Sequence, residues 1–196
     1  DIEKLTFFRA CECYEELEAA GKLDADALIF VNSIASVSLS DEDWASYCEA
    51  HSAILPKLVV EITEEEEMNE RELERKRNVP GSSGVFALDD YGSGYSNEKT
   101  LLELAPAYIK LDLSIIRDID SDPDKQQIVE NIVSYAHQRG MKIIAEGLET
   151  PAELLKVLEL DVDLLQGYFL AKPSAVPKPV SAESVAVIEH FRKHLA

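Results

Sequence analysis

The chain has 196 residues, 46% of them hydrophobic, enough for one globular domain with a sizeable core. Its formal charge of −19 excludes a surface built to grip polymeric nucleic acid, because neutralising phosphates takes Lys and Arg; a small anionic ligand suits it if metal ions carry the positive charge. No run of about 18 apolar residues exists to span a membrane, and Asp1-Ile2-Glu3-Lys4 does not open a secretory leader.

Residues 5–20 are predicted as a helix with Leu5, Phe8, Cys11 and Leu17 among its apolar positions. The three cysteines, Cys11, Cys13 and Cys48, are odd in number and lack zinc-type spacing, so they read as reduced thiols of a cytoplasmic protein rather than as half of a metal site. Ala27–Val31 is a buried strand ended by Asn32, and Ser40 with Asp43 opens the next helix like a capping box. Leu58–Ile62 is the second strand. Residues 64–77 are charged and helical, and Glu64 to Glu67 is a solvated helix start.

A loop over residues 79–84 leads to a third strand, Val85–Leu88, ended by Asp89-Asp90. Gly92-Ser93-Gly94-Tyr95-Ser96 is a glycine-rich loop, and Tyr108–Leu111 is a fourth strand carrying Lys110. Residues 122–139 form the clearest helix, with Pro123 in its first turn, Ile128, Ile132 and Tyr135 on one face, and Gly140 as its stop. Lys142–Ala145 is a fifth strand ended by Glu146. Thr150-Pro151-Ala152-Glu153 is a capping box, Leu164-Leu165-Gln166 begins a sixth strand, and residues 181–195 form a last amphipathic helix. Alternating strands and helices imply a parallel sheet, either open and doubly wound or closed into a barrel. A closed barrel needs eight strands, which would put two of them upstream of Asp1.

Asn32, Glu61, Asp89, Asp90, Lys110, Glu146 and Gln166 each fall within or just after an apolar strand. In a parallel barrel the C-terminal strand ends open onto one face, where such side chains converge. A single acid at a strand end is an ordinary cap or loop residue. Four carboxylates at three strand ends, with an Asn and a Lys, form a pattern that suits Mg²⁺ or Mn²⁺, and Asp89-Asp90 offers adjacent carboxylates for two ions. Lys110 has three readings: a Schiff-base nucleophile, a plain partner for a buried acid, or a group that orients water or a phosphate oxygen. Its acidic company is expected to keep it charged, against the first. Gly92-Ser93-Gly94 lacks the spacing and lysine of a P-loop and is either a turn or a segment that closes on substrate. His51, His137, His190 and His194 fall on helices and read as surface residues, while Trp44 and the tyrosines other than Tyr95 read as packing. Leu101, Leu102 and Leu104 are expected in the core rather than on a dimer surface.

Five strings in order resemble the EAL-domain phosphodiesterases: Glu61-Ile62-Thr63-Glu64, residues 87–96, Ile109-Lys110-Leu111-Asp112, residues 144–149 and residues 166–173. The resemblance implies a modified TIM-like (β/α) barrel, incomplete in this chain at about six of eight strands, forming one domain over residues 1–196. It implies hydrolysis of cyclic di-GMP to the linear dinucleotide with two Mg²⁺ or Mn²⁺ ions. By motif, Asn32, Glu61, Asp89 and Asp90 would hold the metals, with Asp90 also counted as catalytic. Lys110 and Glu146 would position the attacking water and balance its charge. Glu64 would brace the loop Gly92, Ser93, Gly94, Tyr95 and Ser96, and Glu149 and Gln166 would be supporting or substrate-side groups. Fusion to sensory or diguanylate cyclase domains, or a homodimer, is expected of such a domain.

The sequence departs from the family in lacking the Glu-Ala-Leu string, which belongs on an early strand and supplies a metal ligand with a nearby Arg. A truncated N-terminal segment is therefore expected. Asn32-Ser33-Ile34 also replaces the usual Asn-x-Ser. The competing readings are a catalytically inactive cyclic di-GMP-binding regulatory module and a Lys110-dependent aldolase-like barrel.

Overall fold

The computed structural model describes residues 2–24, 26–33, 40–63, 71, 74, 77, 84–93 and 98–195. Among these residues the strands are β1 (Ile29–Asn32), β2 (Leu58–Thr63), β3 (Val85–Tyr91), β4 (Tyr108–Leu111), β5 (Lys142–Ala145) and β6 (Leu164–Leu165). They follow one another in chain order in one sheet, and β1–β2, β4–β5 and β5–β6 pair in parallel. With helices in the connections, this is the (β/α) repeat of a TIM-like barrel, incomplete at six strands among the described residues. The helices are α1 (Ile2–Ala19), α2 (Asp41–Ala50), α3 (Glu98–Leu104), α4 (Leu113–Ile116), α5 (Pro123–Gln138), α6 (Pro151–Glu159) and α7 (Ala182–Leu195). No helix among the described residues is long and apolar enough to cross a membrane. Contacts divide the chain into two units, Asp1–Leu88 with Asn97–Pro106, and Asp89–Ser96 with Ala107–Ala196.

In the first unit, α1 buries Phe7, Cys11 and Tyr14, spaced to share one helical face. Phe7 and Phe8 meet the ring of Tyr47 edge-on at 5.9 and 5.1 Å, and Cys11 Sγ lies 2.9 Å from the Tyr47 hydroxyl. Burial pushes up both the Tyr47 phenol and the Cys11 thiol. Ser40 caps α2 as expected, its side chain accepting the Asp43 N–H at 3.1 Å. His51 corrects the surface reading: it is 6% exposed, under the Phe8 ring, with Nδ1 3.1 Å from Glu15 Oε1. The pattern of α2 does not reveal this: Tyr47 of the same helix packs at 5.3 Å, but the Phe8 cover and the polar partner come from α1. Leu58 through Ile62 are all buried, as befits a strand covered on both faces. On α3, Leu101 and Leu104 enter the core, whereas Leu102 is 63% exposed.

In the second unit, Asp122 caps α5 by accepting N–H bonds from Asp124 and Lys125, with Pro123 at the first position. Its buried stripe is Val129, Ile132, Val133 and Ala136. Ile128, placed on the inner face by spacing, is exposed, because the helix settles one residue around from that stripe. Each Val or Ile fully buried this way contributes roughly 1.5–3 kcal/mol. Thr150 and Glu153 make the expected reciprocal capping box on α6. Helix α7 packs on α6, and Ser184 anchors it by donating to the Phe169 carbonyl at 2.8 Å. Tyr168, read as packing, is exposed. β4 and β5 have the expected bounds, β1 starts at Ile29 rather than Ala27, and β3 runs on through Asp89 and Asp90 to Tyr91.

Candidate functional site

Lys110 lies in the middle of β4, and its register partner on β5 is Ile144. Its side chain is 8% exposed, and its Nζ sits 2.8 Å from Asp89 Oδ1 and 2.9 Å from Glu146 Oε1. Glu146 is the first residue beyond β5, held by its N–H to the Leu111 carbonyl at 3.2 Å. An isolated buried ammonium or carboxylate would cost several kcal/mol, and this triad is how the strand ends tolerate three ionised groups.

Asp90 joins the same cluster against the usual rule for strands, where neighbouring side chains point to opposite faces. Its φ of +55° places it in the left-handed region, which breaks the alternation. Asp and Asn tolerate that region best among residues with a Cβ. Its N–H binds the Asp89 carboxylate at 3.1 Å, and Gly92 follows at φ +96°. A Cβ at Gly92 would run into Ile115 of α4, with Cγ1 at 2.9 Å. The bend thus depends on a glycine packed against the next helix.

Oxygens of Asp89, Asp90 and Glu146 lie within 4.8 Å of one another. The cluster brings three carboxylates around the Lys110 ammonium. Hard oxygen donors at this spacing fit a divalent cation of the Mg²⁺ or Mn²⁺ type. Beside the cluster lies a groove of about 540 Å³, lined among others by Asp90, Asp112, Glu146, Gln166, Lys172 and Lys178. Two lysines in a groove with acids on its wall can receive an anionic ligand whose remaining charge is met by cations.

The structure therefore gathers Asp89, Asp90, Lys110 and Glu146, and puts Gln166 on the groove, its N–H bonded to the Ala145 carbonyl at 2.8 Å. In the first unit, Asn32 is the register partner of Glu61, and the Ser33 N–H donates to the Glu61 carbonyl at 3.0 Å. Glu61 is 6% exposed, while Asn32 is exposed. Ser93 is exposed and closes a turn by donating its N–H to the Asp90 carbonyl at 3.1 Å. Glu149 faces elsewhere: it pairs with Arg117 at 2.7 Å, and that guanidinium holds its carboxyl below the usual range. Glu64, Gly94, Tyr95 and Ser96 lie outside the described residues.

Asp112, Lys172 and Lys178 also line the groove; Asp112 directly follows β4, where the strand-end rule reaches it although it was not named as a site residue from the sequence. Asp112 looks like a plain cap, and indeed accepts the Ser114 N–H at 2.9 Å. Lys172 and Lys178 sit beyond the last strand, where no periodicity marks them. Lys172 nevertheless lies in the string of residues 166–173 that carries the family resemblance, whereas Lys178 offered no signal beyond its charge.

Residues 2–173 match the family model described as the EAL domain. The probable cyclic di-GMP phosphodiesterase PdeG of Escherichia coli K12 is 36% identical over 118 residues, 59% of this chain and 23% of PdeG. The cyclic di-GMP phosphodiesterase NbdA of Pseudomonas aeruginosa is 31% identical over 172 residues, 84% of this chain and 22% of NbdA. The chain thus spans about a quarter of these relatives' length. Among solved structures, a manganese and cyclic di-GMP complex of Klebsiella pneumoniae BlrP1 superposes with a TM-score of 0.71 at 25% identity, covering 85% of this chain and 45% of that one. Parallel strands in chain order, acids at their C-terminal ends and a family match over most of the length agree: the chain belongs to the EAL domain family.

Proposed function

We propose that this chain is a single EAL-type domain that binds cyclic di-GMP and hydrolyses it to the linear dinucleotide with two divalent ions, Mg²⁺ or Mn²⁺. The observation that carries the reading is Lys110 Nζ held between Asp89 and Glu146, with the Asp90 carboxylate in the same cluster. When bound, the ions supply the positive charge that offsets the charge developing on phosphorus oxygens during in-line displacement.

The residues of the chain do the rest. Asp89 and Asp90 hold the cations, and the family motif adds Asn32 and Glu61 to that set. Glu146 accepts a hydrogen bond from the attacking water and orients it. Lys110, held between Asp89 and Glu146, orients the water or a phosphate oxygen and balances the charge of the acids. Gln166 meets the ligand along the groove. Glu64 braces the loop of Gly92, Ser93, Gly94, Tyr95 and Ser96, which closes on substrate, and Glu149 is a supporting or substrate-side group by family motif. A Schiff-base role for Lys110 is disfavoured, since an ammonium shared by two carboxylates has no lone pair for a carbonyl carbon. A cytoplasmic location, a homodimer and fused sensory or diguanylate cyclase domains belong to the same proposal.

The test is chromatographic detection of linear dinucleotide from cyclic di-GMP in Mn²⁺. Product is expected with the wild-type chain, and its loss with chelator and with Asp89→Asn. Tight cyclic di-GMP binding without product at long incubation would replace this reading with that of an inactive binding module.

A further inference from the structure

We propose that the last turns of α7 carry a separate metal site, a histidine pair that takes a borderline transition ion such as Zn²⁺. His190 and His194 stand one turn apart on the same helical face, the spacing by which helices present two imidazoles to one ion. Their ring centroids are 4.1 Å apart with a 32° tilt. His194 Nδ1 lies 2.8 Å from the His190 carbonyl oxygen. A carbonyl can only accept, so Nδ1 carries the proton and donates it. In the neutral ring, Nε2 is left with the lone pair. A ring nitrogen anchored on a backbone carbonyl while the other stays basic is how ligating histidines are normally oriented.

The distances suit chelation. Two nitrogens at about 2.0–2.1 Å from one tetrahedral ion are roughly 3.3 Å apart, which rings already stacked this closely reach by small torsional changes. Lys193 reaches back to Glu189 at 3.8 Å along the adjacent stripe, and Arg192 projects from the far side of the helix. Donor chemistry separates this site from the carboxylate cluster: imidazole prefers Zn²⁺, Ni²⁺ or Cu²⁺, whereas the all-oxygen set prefers Mg²⁺ or Mn²⁺. Water completes the coordination, so the site is open and exchangeable.

Calorimetric titration of the chain with Zn²⁺ in excess Mg²⁺, which keeps the carboxylates occupied, tests the inference at neutral pH. The wild type is expected to bind one Zn²⁺ that His190→Ala and His194→Ala each weaken by about tenfold or more, since each removes one arm of the chelate. His137→Ala, a histidine on another helix, should leave that binding unchanged. Imidazole nitrogen NMR should show the Nε2 resonances of His190 and His194 shifting together on Zn²⁺ addition. Both positions are exposed, so the double variant folds; if it binds Zn²⁺ with wild-type affinity and stoichiometry, the inference is overturned.

Discussion

Two carboxylates of the β5–α6 connection have opposite fates. Glu153, at the start of α6, is 1% exposed and accepts N–H bonds from Asp118 at 3.1 Å, Glu149 at 2.9 Å and Thr150 at 3.0 Å. Burial alone would raise its pKa, but the backbone donors outweigh burial and hold it below the ordinary value. Its charge is met by these fixed dipoles, with the Arg117 guanidinium at 3.9 Å beside them. Glu146, at the end of β5, shares the Lys110 ammonium with Asp89, and Asp90 adds a third carboxylate. A corner complete in itself is structural. A mouth where three carboxylate oxygens lie within 4.8 Å of one another has the donor set that suits a divalent cation.

The sharpest way to break that contrast is Lys110→Met. Removing the one ammonium leaves Asp89 and Glu146 as buried like charges, and a loss of about 3–5 kcal/mol is expected. Mn²⁺ should return more stability to this variant than to the wild type, because it replaces the missing charge. Thermal unfolding with and without Mn²⁺ measures both. Equal Mn²⁺ stabilisation of the two proteins would mean that the acids do not hold the ion.

Glu153→Ala is expected to cost about 2–3 kcal/mol in urea unfolding, since three backbone donors lose a charged acceptor. The effect has a pH signature. A carboxyl depressed in the folded state stabilises it fully above the unfolded value, and that contribution is lost as pH falls through the folded value. The stability gap between the wild type and Glu153→Gln should therefore be widest near neutral pH and shrink below about pH 4. A gap independent of pH would show that the corner does not depend on charge. Mn²⁺ affinity should survive in Glu153→Gln.

Gly147→Ala should have the smallest effect on stability, about 1–2 kcal/mol for a Cβ forced into the left-handed region. Gly147 has φ +70°, and an added Cβ would lie 2.6 Å from Leu113 Cβ. The shift it forces falls next to Glu146, so Mn²⁺ affinity should drop even where the fold survives. Calorimetry with Mn²⁺ reads this directly, and unchanged affinity would detach Gly147 from the mouth.

Much of this was legible in the residues. The strand bounds of β4 and β5 followed from short apolar runs, and the Ser40 cap and the Thr150 capping box from their own neighbourhoods, because these are local interactions within a few residues. Asp89, Asp90, Lys110 and Glu146 stood out as polar groups at strand ends, where a parallel fold leaves no apolar role for them. His51 and Ile128 were misread because burial depends on what packs over a helix, and its own pattern does not say which element that is. The pairing of Glu149 with Arg117, 32 residues away in the chain, was not legible from its motif.

What the amino-acid order alone determined, then, was the alternation of strands and helices, the caps, and the identity of the acids and the lysine that meet at the mouth. Only the tertiary structure decided that Asp90 turns into the cluster through a left-handed backbone, that Lys110 is shared by two carboxylates, and that Glu153 is met by three backbone N–H groups while Glu146 meets the Lys110 ammonium. The physical reason is range: caps and periodicity act over a few residues, whereas charge compensation acts through space between strands that the chain separates by tens of residues.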